Sequence, residues 1–560
     1  MLNEVGIDLW QAGDLAGAQL RFAEALARAP GYAAACSNLG MVLAEQRRLD
    51  EGLKHLLRAV EIDPRHAGAR INLANALHLD GQIDAAVAHY LEALRLAPDA
   101  PETRVNVVKP LMDACQWTEV ESIVAELIEL YASAPEAHWA ERVSPFVSQL
   151  LPLPPDFRRR LAVYHARELS LRWAPQRARV AQARAPRDHQ RIRVGYLSGD
   201  FRNHALAHLT AGMFAHHDRR RFRITAYSFG SDDGSEQRRR IVSGVDRFVD
   251  IAGESYAASA ARIAGDGIDI LVDLAGYSGA SRSEILAMRP APVQVSWLGF
   301  PGTMGADFID YFVADKVALP ERLAGQFTEA IAWLPDCYQV NDAEQAIAAD
   351  ITTREQAGLP ASGFVFCCFN QAYKIDRGIF GSWMRMLQAV PGSVLWLMTS
   401  SGLAQGNLRR AAAAAGIDPQ RLVFAQGLPK EAHLARQRLA GLFLDTAVVT
   451  AGTTASDALW AGVPVLTCPG ETLGARVAAS VVSAIGLPDL AACNRAEYER
   501  MGVELARNPG MLGDIRERLA ANRVGAPLFD TPRFVSGFER ALESMQAAAL
   551  AGRPPEAFSV

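Results

Sequence analysis

The spacing of apolar residues changes once along this chain, near residue 191. Before that point, small and large apolar residues recur with a period of 34 residues, and a proline closes each set. The recurring positions are Gly6, Gly40 and Ala74; Ala18, Gly52 and Ala86; Phe22, Leu56 and Tyr90; Ala25, Ala59 and Ala93; and Pro30, Pro64 and Pro98. Such a period predicts stacked pairs of antiparallel helices, in which small residues allow close approach and the proline ends each second helix.

This period is typical of tetratricopeptide repeats and predicts an N-terminal α-solenoid over residues 1–134. Ala132 replaces the closing proline of the last unit, which is therefore degenerate. The predicted units cover residues 1–34, 35–68, 69–102 and 103–134. Stacked units of this kind form a concave groove that takes extended peptides. We therefore expect a peptide or protein in the groove and any chemistry in the remaining chain.

From residue 191 onward, short apolar strands alternate with helical stretches. The predicted strands lie in 191–199, 221–230, 268–276, 291–302 and 309–315, and again in 364–370, 393–400, 421–427, 441–446 and 463–470. Buried strands that alternate with helices predict two doubly wound α/β domains with parallel sheets. We expect a helical linker over 135–188, which prolines including Pro175 break up. Two Rossmann-like domains are expected over 189–358 and 359–530. A C-terminal helix over 531–560 is expected to pack back on the first of these domains.

Composition narrows the classes of function. The formal net charge of −5 argues against a nucleic-acid binder driven by bulk charge, and we interpret the arginine runs 158–160, 219–221 and 238–240 as solvated surface.

The seven cysteines show no CxxC spacing, which predicts free thiols in a reducing compartment and a cytoplasmic location. The sequence starts without signal-peptide features, and no apolar run reaches the ~18 residues of a membrane span.

The strongest candidate site is Gly452-Thr453-Thr454, which follows the predicted strand 441–446 and opens a helix. Free N–H groups and hydroxyls at a helix N-terminus can cradle a phosphate. Asp457 lies one turn into the helix, where its carboxylate can reach a ribose hydroxyl. The alternative is an ordinary threonine N-cap, but the strand–turn–helix context favours a phosphate site.

Two further candidate groups fall in the second α/β domain. Gln371 and Lys374 follow the strand 364–370, where a lysine is well placed to meet a diphosphate as a point charge. His433 and Arg436 lie on one helical face at i and i+3, suited to contacts with a base and a phosphate. A surface lysine and a solvent-facing helix are the alternatives for these two groups.

Asp200 and His204 follow the first predicted strand, at an edge where ligands bind in doubly wound sheets. A general base or a sugar-orienting role suits His204 better than a metal pair with His208, because a third ligand is not evident. Gly302 lies in a loop where the backbone can approach a sugar closely. No convincing DxD motif is present, so we expect no metal ion or other cofactor.

Together these stretches resemble the O-GlcNAc transferase family, which consists of inverting GT-B glycosyltransferases with an N-terminal tetratricopeptide array. The resemblance is carried by RIRVGYLSGDFRNHALAHL, MRPAPVQVSWLGFPGTMGADFIDY, FNQAYKID, LPKEAHLAR and GETLGARVAAS. It implies a UDP-GlcNAc donor and transfer of GlcNAc, with inversion, to a Ser or Thr hydroxyl of a protein. It also suggests a bacterial-type homologue with a short array.

The resemblance implies roles for individual residues. UDP would be held by Gln371, Lys374, Leu428 through its backbone, His433, Arg436, Thr453, Thr454 and Asp457. Lys374 would stabilise the leaving diphosphate. His204 and Asp200 match candidates for the base near the sugar, and Gly302 matches the sugar-contacting loop.

The sequence departs from the family pattern at two places. Phe146 and Val147 lie in the segment where animal members carry a histidine that has been considered as the base. Gly452 replaces the histidine of a family His-Thr-Thr stretch.

Two alternatives remain open from the sequence. One keeps the fold and changes the reaction, either to a protein O-fucosyltransferase of the SPINDLY-like plant type using GDP-fucose or to an asparagine N-glucosyltransferase. The other is a repeat scaffold with weak or no catalysis. Donor preference distinguishes the first alternative, and the intact Lys374, His204 and Gly452-Thr453-Thr454 argue against the second.

Overall fold

Paired helices form the N-terminal part of the computed structural model, which describes residues 1–98, 100–185, 190–279, 281–349 and 352–560. The pairs are α1 (Leu2–Gln11) with α2 (Leu15–Arg28), α3 (Ala33–Glu45) with α4 (Leu49–Ile62), α5 (Ala67–Leu79) with α6 (Ile83–Leu96), and α7 (Pro101–Asp113) with α8 (Trp117–Ser133). Helices α2, α4 and α6 each end just before the recurring proline, as predicted. The repeat solenoid of the predicted fold class is confirmed.

The small residues of the repeat bring paired helices into contact. A Cβ atom added to Gly52 on α4 would lie 2.5 Å from the backbone oxygen of Gly40 on α3. Leu56 is fully buried beneath this crossing. Close packing at the α3–α4 crossing leaves no room for even one methyl group, which explains the glycines at positions 40 and 52.

Three helices continue the chain beyond the array: α9 (Glu136–Ala140), α10 (Pro145–Leu150) and α11 (Pro155–Ala183). The prediction that Pro175 breaks the helical linker is wrong, because Pro175 lies inside α11. Trp173 and Val180 on either side of it are buried in an apolar cluster with the first α/β unit. Packing on both sides therefore holds the helix together despite the lost backbone donor. The predicted boundary at 188–189 lies outside the described residues.

The first α/β unit contains strands and helices in alternation. Its strands are β1 (Ile192–Ser198), β2 (Phe222–Ser228), β3 (Arg247–Asp250), β4 (Ile270–Asp273), β5 (Val293–Ser296), β6 (Tyr311–Asp315) and β7 (Ala330–Leu334). Its helices are α12 (Ala205–Thr210), α13 (Met213–His216), α14 (Glu236–Gly244), α15 (Tyr256–Gly265) and α16 (Ser283–Ala287). The sequence did not predict β3 and β7.

The second α/β unit repeats this alternation. Its strands are β8 (Val365–Cys368), β9 (Val394–Met398), β10 (Leu422–Ala425), β11 (Leu442–Leu444) and β12 (Val465–Leu466). Its helices are α17 (Arg377–Ala389), α18 (Gly402–Ala414), α19 (Lys430–Gln437), α20 (Thr453–Ala461), α21 (Val477–Ala484), α22 (Arg495–Arg507) and α23 (Pro509–Asn522). One apolar cluster runs through both units.

The chain then returns to the first unit. Helix α24 (Thr531–Leu550) packs there, with Phe534 and Phe538 against Trp297 at ring-centroid distances of 5.7 and 4.6 Å. Strand β13 (Phe558–Ser559) pairs with β7, an addition that the sequence did not predict. The domain limits given above stay predictions.

Both sheets are parallel and doubly wound. Within the described residues the strand orders are β13-β7-β6-β5-β4-β1-β2-β3 and β10-β9-β8-β11-β12. The order reverses between β1 and β4 in the first sheet and between β8 and β11 in the second. Ligands of such sheets bind outside the carboxyl ends of the strands at this reversal. The predicted site segments 198–204, 369–374 and 445–454 therefore lie at two such points. The two Rossmann-like units of the predicted fold class are confirmed.

The arginine runs are not uniformly solvated, which corrects the interpretation from sequence. Arg158 is 7% exposed and Arg238 is 5% exposed. Arg238 is buried because its guanidinium bonds the backbone oxygen of Phe201 and the Ser228 hydroxyl, both at 3.2 Å. Arg158 donates to the backbone oxygen of Leu151 at 2.6 Å. None of the described helices has the length and apolarity that a membrane span requires.

The packing at the α3–α4 crossing makes a stability prediction. Gly52→Ala is expected to destabilise the protein by about 1–3 kcal/mol, because the new methyl group meets backbone that cannot move aside. Thermal unfolding followed by far-UV circular dichroism checks this. Gly31→Ala is the matched control, since no described atom lies within 4 Å of its added Cβ. Equal melting of the two variants would contradict the prediction.

Candidate active site

The loop that leaves β11 is organised around the buried carboxylate of Asp445. This carboxylate accepts hydrogen bonds from the backbone N–H groups of Thr446 and Ala451, both at 2.8 Å, and from the Thr467 hydroxyl at 2.7 Å. Burial raises the pKa of Asp445 to about 6, while its hydrogen bonds and Lys374 act in the opposite direction. Asp445 is therefore ionised at neutral pH and fixes the loop that leads into α20.

Asn370, at the end of β8, ties two segments of the site together. Its Nδ2 donates to the Thr446 hydroxyl at 2.8 Å and to Asp445 at 3.2 Å, and its Oδ1 accepts from the Thr454 hydroxyl. Helix α20 begins at Thr453. Its N-cap residue is Gly452, which has no side chain that could cap the N–H groups of the first turn. The open first turn of α20 is thus held beside the end of β8, an arrangement suited to an anion.

Lys374 points its ammonium group toward this same loop. Its Nζ donates to the backbone oxygen of Thr450 at 3.3 Å. Burial lowers the pKa of Lys374, and the negative charge of Asp445 opposes that shift. A half-buried cation against the loop that leads into α20 is suited to a negatively charged group.

An ion pair that the sequence did not predict joins α19 to α20. Lys430 Nζ lies 2.5 Å from Oδ1 of Asp457, and Asp457 is buried. Burial raises the pKa of Asp457, and Lys430 counteracts this. The predicted ribose contact is therefore already paired with a cation. Sequence spacing gave no signal for this pair beyond a lysine at the start of a helix.

His433 and Arg436 contact each other, as their i, i+3 spacing predicts. Nε and Nη2 of Arg436 lie 3.1 and 2.8 Å from Nδ1 of His433, and the guanidinium also donates to the backbone oxygen of Gln426 at 2.5 Å. Burial, together with the charges of Arg436 and Lys430, lowers the pKa of His433 to about 3. The ring is therefore neutral, with Nδ1 as acceptor and Nε2–H available as a donor.

Two predicted donor contacts lie at the surface of this site. Gln371 is exposed at the start of the turn that carries Lys374. Leu428 is 45% exposed, just before α19, where its backbone is accessible.

The end of β1 supplies the opposite side. Nδ1 of His204 accepts from the backbone N–H of Leu206 at 3.3 Å and lies 3.6 Å from Oδ2 of Asp200. Arg202 donates to the other oxygen of Asp200 at 3.1 Å. Burial lowers the pKa of His204, with Asp200 opposing the shift and Arg202 reinforcing it. A neutral ring whose Nδ1 is an acceptor presents Nε2–H to its surroundings.

The two sides contact each other through α12 and α20. His208 on α12 donates from Nε2 to Asn203 at 2.9 Å. Burial lowers the pKa of His208 to about 4, and the charge of Lys430 from the second unit adds to this effect. The described residues include no cluster of three or more His, Cys, Asp or Glu side chains suited to a metal ion.

Gly302 lies in a separate part of the site, against the linker. A Cβ atom added to Gly302 would lie 2.8 Å from Cδ of Gln149 on α10. Val147 on the same helix is buried and Phe146 is half-buried. Gln149 of this segment therefore lies against the Gly302 loop, a contact that the sequence did not predict.

The sequence model described as glycosyl transferase family 41 matches residues 114–350 and 345–538, more than half of the chain. The chain belongs to glycosyl transferase family 41. A tetratricopeptide repeat model matches residues 32–99 of this family 41 member.

Curated relatives of this family 41 member include enzymes of plants and animals. It is 35% identical over 462 residues to the probable UDP-N-acetylglucosamine–peptide N-acetylglucosaminyltransferase SEC of Arabidopsis thaliana, covering 80% of this chain and 47% of that protein. It is 30% identical over 557 residues to the UDP-N-acetylglucosamine–peptide N-acetylglucosaminyltransferase of Caenorhabditis elegans, covering 79% and 48%. The chain spans about half the length of these curated relatives.

A solved structure matches nearly the whole family 41 member. A mutant of Thermobaculum terrenum O-GlcNAc transferase superposes with a TM-score of 0.70 at 26% sequence identity, and the match covers 98% of each chain. The match therefore includes the repeat array as well as both α/β units.

The contact between Arg436 and His433 makes a titration prediction. Arg436→Gln is expected to raise the pKa of His433 from about 3 toward the ordinary histidine value, by about one unit, because a neighbouring positive charge is removed. Histidine ring NMR signals followed against pH check this. Arg438→Gln, which removes an exposed arginine from the end of the same helix, is the control. An unchanged His433 titration in Arg436→Gln would contradict the assignment.

Proposed function

We propose that this chain is an inverting, metal-independent glycosyltransferase that moves GlcNAc from UDP-GlcNAc to Ser or Thr hydroxyls of proteins. The observation that carries the proposal is the hydrogen bond from Lys374 to Thr450, in the loop that leads into the open first turn of α20 at the strand-order reversal of the second sheet. A lysine and helix N-terminal amides are the groups that bind a diphosphate without a metal ion. The printed names of the curated relatives support the donor and acceptor classes.

On this proposal, the second α/β unit binds the donor. Lys374 and the first turn of α20, with Thr453 and Thr454, bind the diphosphate. Asp457 binds the ribose, and the exposed backbone of Leu428 receives the base beside α19. The remaining proposed donor contacts in this unit are Gln371, His433 and Arg436, and Gly302 of the first unit would contact the sugar.

The first α/β unit would act on the acceptor hydroxyl. The oxygen of that hydroxyl bonds to the anomeric carbon while the bond from this carbon to the diphosphate oxygen breaks, and the electron pair leaves with UDP. Since Nδ1 of His204 already accepts a hydrogen bond, we assign His204 the role of orienting the sugar through Nε2–H. Asp200, a carboxylate beside it, takes the hydroxyl proton. Lys374 stabilises the charge on the leaving diphosphate.

The repeat array would hold the acceptor protein. Its concave groove suits an extended peptide, and it is continuous with the helices α9–α11 that reach the Gly302 loop. A peptide bound in the groove would thus be led toward the cleft between the two sheets.

The first test is calorimetric titration of the protein with UDP, UDP-GlcNAc and GDP, with EDTA present throughout. UDP and UDP-GlcNAc are expected to bind without a metal ion. Preference for GDP would replace the proposed donor with a GDP-sugar. If no nucleotide binds, the proposal is overturned, and the hypothesis of a repeat scaffold with weak or no catalysis is favoured instead.

Lys374→Ala is expected to lower the turnover of transfer by about 10²–10³-fold, because a charge on the leaving group would lose its counterion. Transfer of labelled GlcNAc to a peptide acceptor measures this, and the melting temperature shows that the fold is kept. Lys316→Ala, which removes a lysine paired with exposed Glu321, is the control. Near-normal turnover of Lys374→Ala would remove Lys374 from the leaving-group role.

His204→Ala is expected to reduce turnover more than UDP affinity, because the proposal assigns its ring to the sugar rather than to the nucleotide. Since burial lowers the pKa of His204, protonation of the ring, and any loss of transfer that follows from it, is expected at a lower pH than for an ordinary histidine. Rate–pH profiles and UDP titrations check both points. A selective loss of UDP binding would instead place His204 at the nucleotide.

A further inference from the structure

The fourth repeat unit contacts the turn that carries Lys374. Nε1 of Trp117, the first residue of α8, donates to the backbone oxygen of Ile375 at 2.7 Å. The thiol of Cys115, in the loop before α8, donates to the backbone oxygen of Ala372 at 3.8 Å. Two carbonyl groups on either side of Lys374 are therefore held by donors from the repeat array.

Side-chain packing reinforces this contact. The ring of Trp117 lies 5.3 Å from that of Phe380 on α17, the helix that follows the turn. Arg377, at the start of α17, bonds Glu121 and Thr118 of α8 at 2.8 and 2.9 Å. The array thus fixes the helix after the turn as well as the turn itself.

The array also contacts the loop that receives the lysine. Val448 and Val449 pack in the apolar cluster that contains Val107, Val108 and Leu111 of α7. The next residue, Thr450, supplies the oxygen to which Lys374 donates. Both ends of the Lys374–Thr450 hydrogen bond therefore rest on the repeat array.

The turn itself is short and is closed by two backbone hydrogen bonds, from Lys374 to Gln371 and from Ile375 to Ala372, both at 3.0 Å. It is a 3₁₀ turn of three residues, Ala372–Lys374, and such short turns form poor hydrogen bonds. A lysine stem is flexible, so the position of its ammonium group depends on how firmly the turn is held. Small displacements of a catalytic group cost much of its effect on rate.

We propose that Trp117 is a positioning residue for Lys374, so that the repeat array helps to build the donor site as well as to hold the acceptor. This inference rests on the proposed function for its effect on transfer. The placement of Lys374 by Trp117 is a property of the protein alone and is measured without donor or acceptor.

The test uses Trp117→Phe, which keeps an aromatic ring and removes the donor to Ile375. The matched control is Asp84→Asn on α6, at the same interface between the array and the second α/β unit. Asp84 accepts from the Ser401 hydroxyl at 2.6 Å and from the backbone N–H of Leu403 at 3.1 Å, away from the turn. Melting temperatures show whether both variants remain folded and docked.

The first readout is the pH dependence with which the Lys374 amine reacts with acetic anhydride, followed by mass spectrometry. Trp117→Phe is expected to move the midpoint upward by about half a unit or more, because the loosened turn admits water and relieves the desolvation of the amine. Asp84→Asn is expected to leave the midpoint unchanged. The second readout is transfer, in which Trp117→Phe is expected to lower kcat about tenfold while the acceptor KM changes less than about twofold.

An unchanged Lys374 midpoint in Trp117→Phe would overturn the proposal, and so would equal shifts in Trp117→Phe and Asp84→Asn. If Trp117→Phe does not fold, Cys115→Ala removes the weaker donor on the other side of the turn and is expected to shift the midpoint in the same direction. No shift in that variant would then overturn the proposal. Failure of the proposed function is separate, because it would appear as absent nucleotide binding in the unmodified protein.

Discussion

The buried carboxylate of Asp445 sets the geometry on which the candidate active site depends. Its hydrogen bonds to Thr446, Ala451 and Thr467 hold one shape of the loop that ends at the open turn of α20. Its negative charge also offsets the desolvation of Lys374. A buried, ionised carboxylate is costly unless its hydrogen bonds are satisfied. One residue thereby shapes the loop that leads into α20 and offsets the burial of the Lys374 cation.

Much of the scaffold could be predicted because the signals are local. The ten predicted strand segments each contain an observed strand, and the predicted site residues follow strands that meet at a reversal of strand order. Of the three missed strands, β7 is an apolar run of five residues that does carry a strand signal, whereas β3 and β13 lacked one. Strand β3 has four residues with a charge at either end, and β13 has two residues whose pairing with β7 depends on contacts distant in sequence. Local patterning does not record partners of that kind.

The same limit applies within the site. The spacing of His433 and Arg436 predicted their contact, since both lie on one helix. The pairs Lys430–Asp457 and Gln149–Gly302 join separate elements, and nothing in the local sequence identifies them. Tertiary packing also decides the positions of Pro175 and Arg158. Pro175 lies inside a helix and Arg158 is buried, although their residue types favour a helix break and an exposed side chain.

The return of β13 to the first sheet bears on how the protein folds during synthesis. Strand β7 is complete long before residues 558–559 leave the ribosome, so its outer edge stays unpaired while the whole second α/β unit is made. An open strand edge can pair with a neighbouring chain. The ring of Trp297 is likewise not covered until Phe534 and Phe538 of α24 have been synthesised and packed against it. While the second α/β unit is being synthesised, the nascent first unit therefore has an unpaired strand edge and an exposed aromatic side chain. We expect protection by chaperones to matter most during this part of translation.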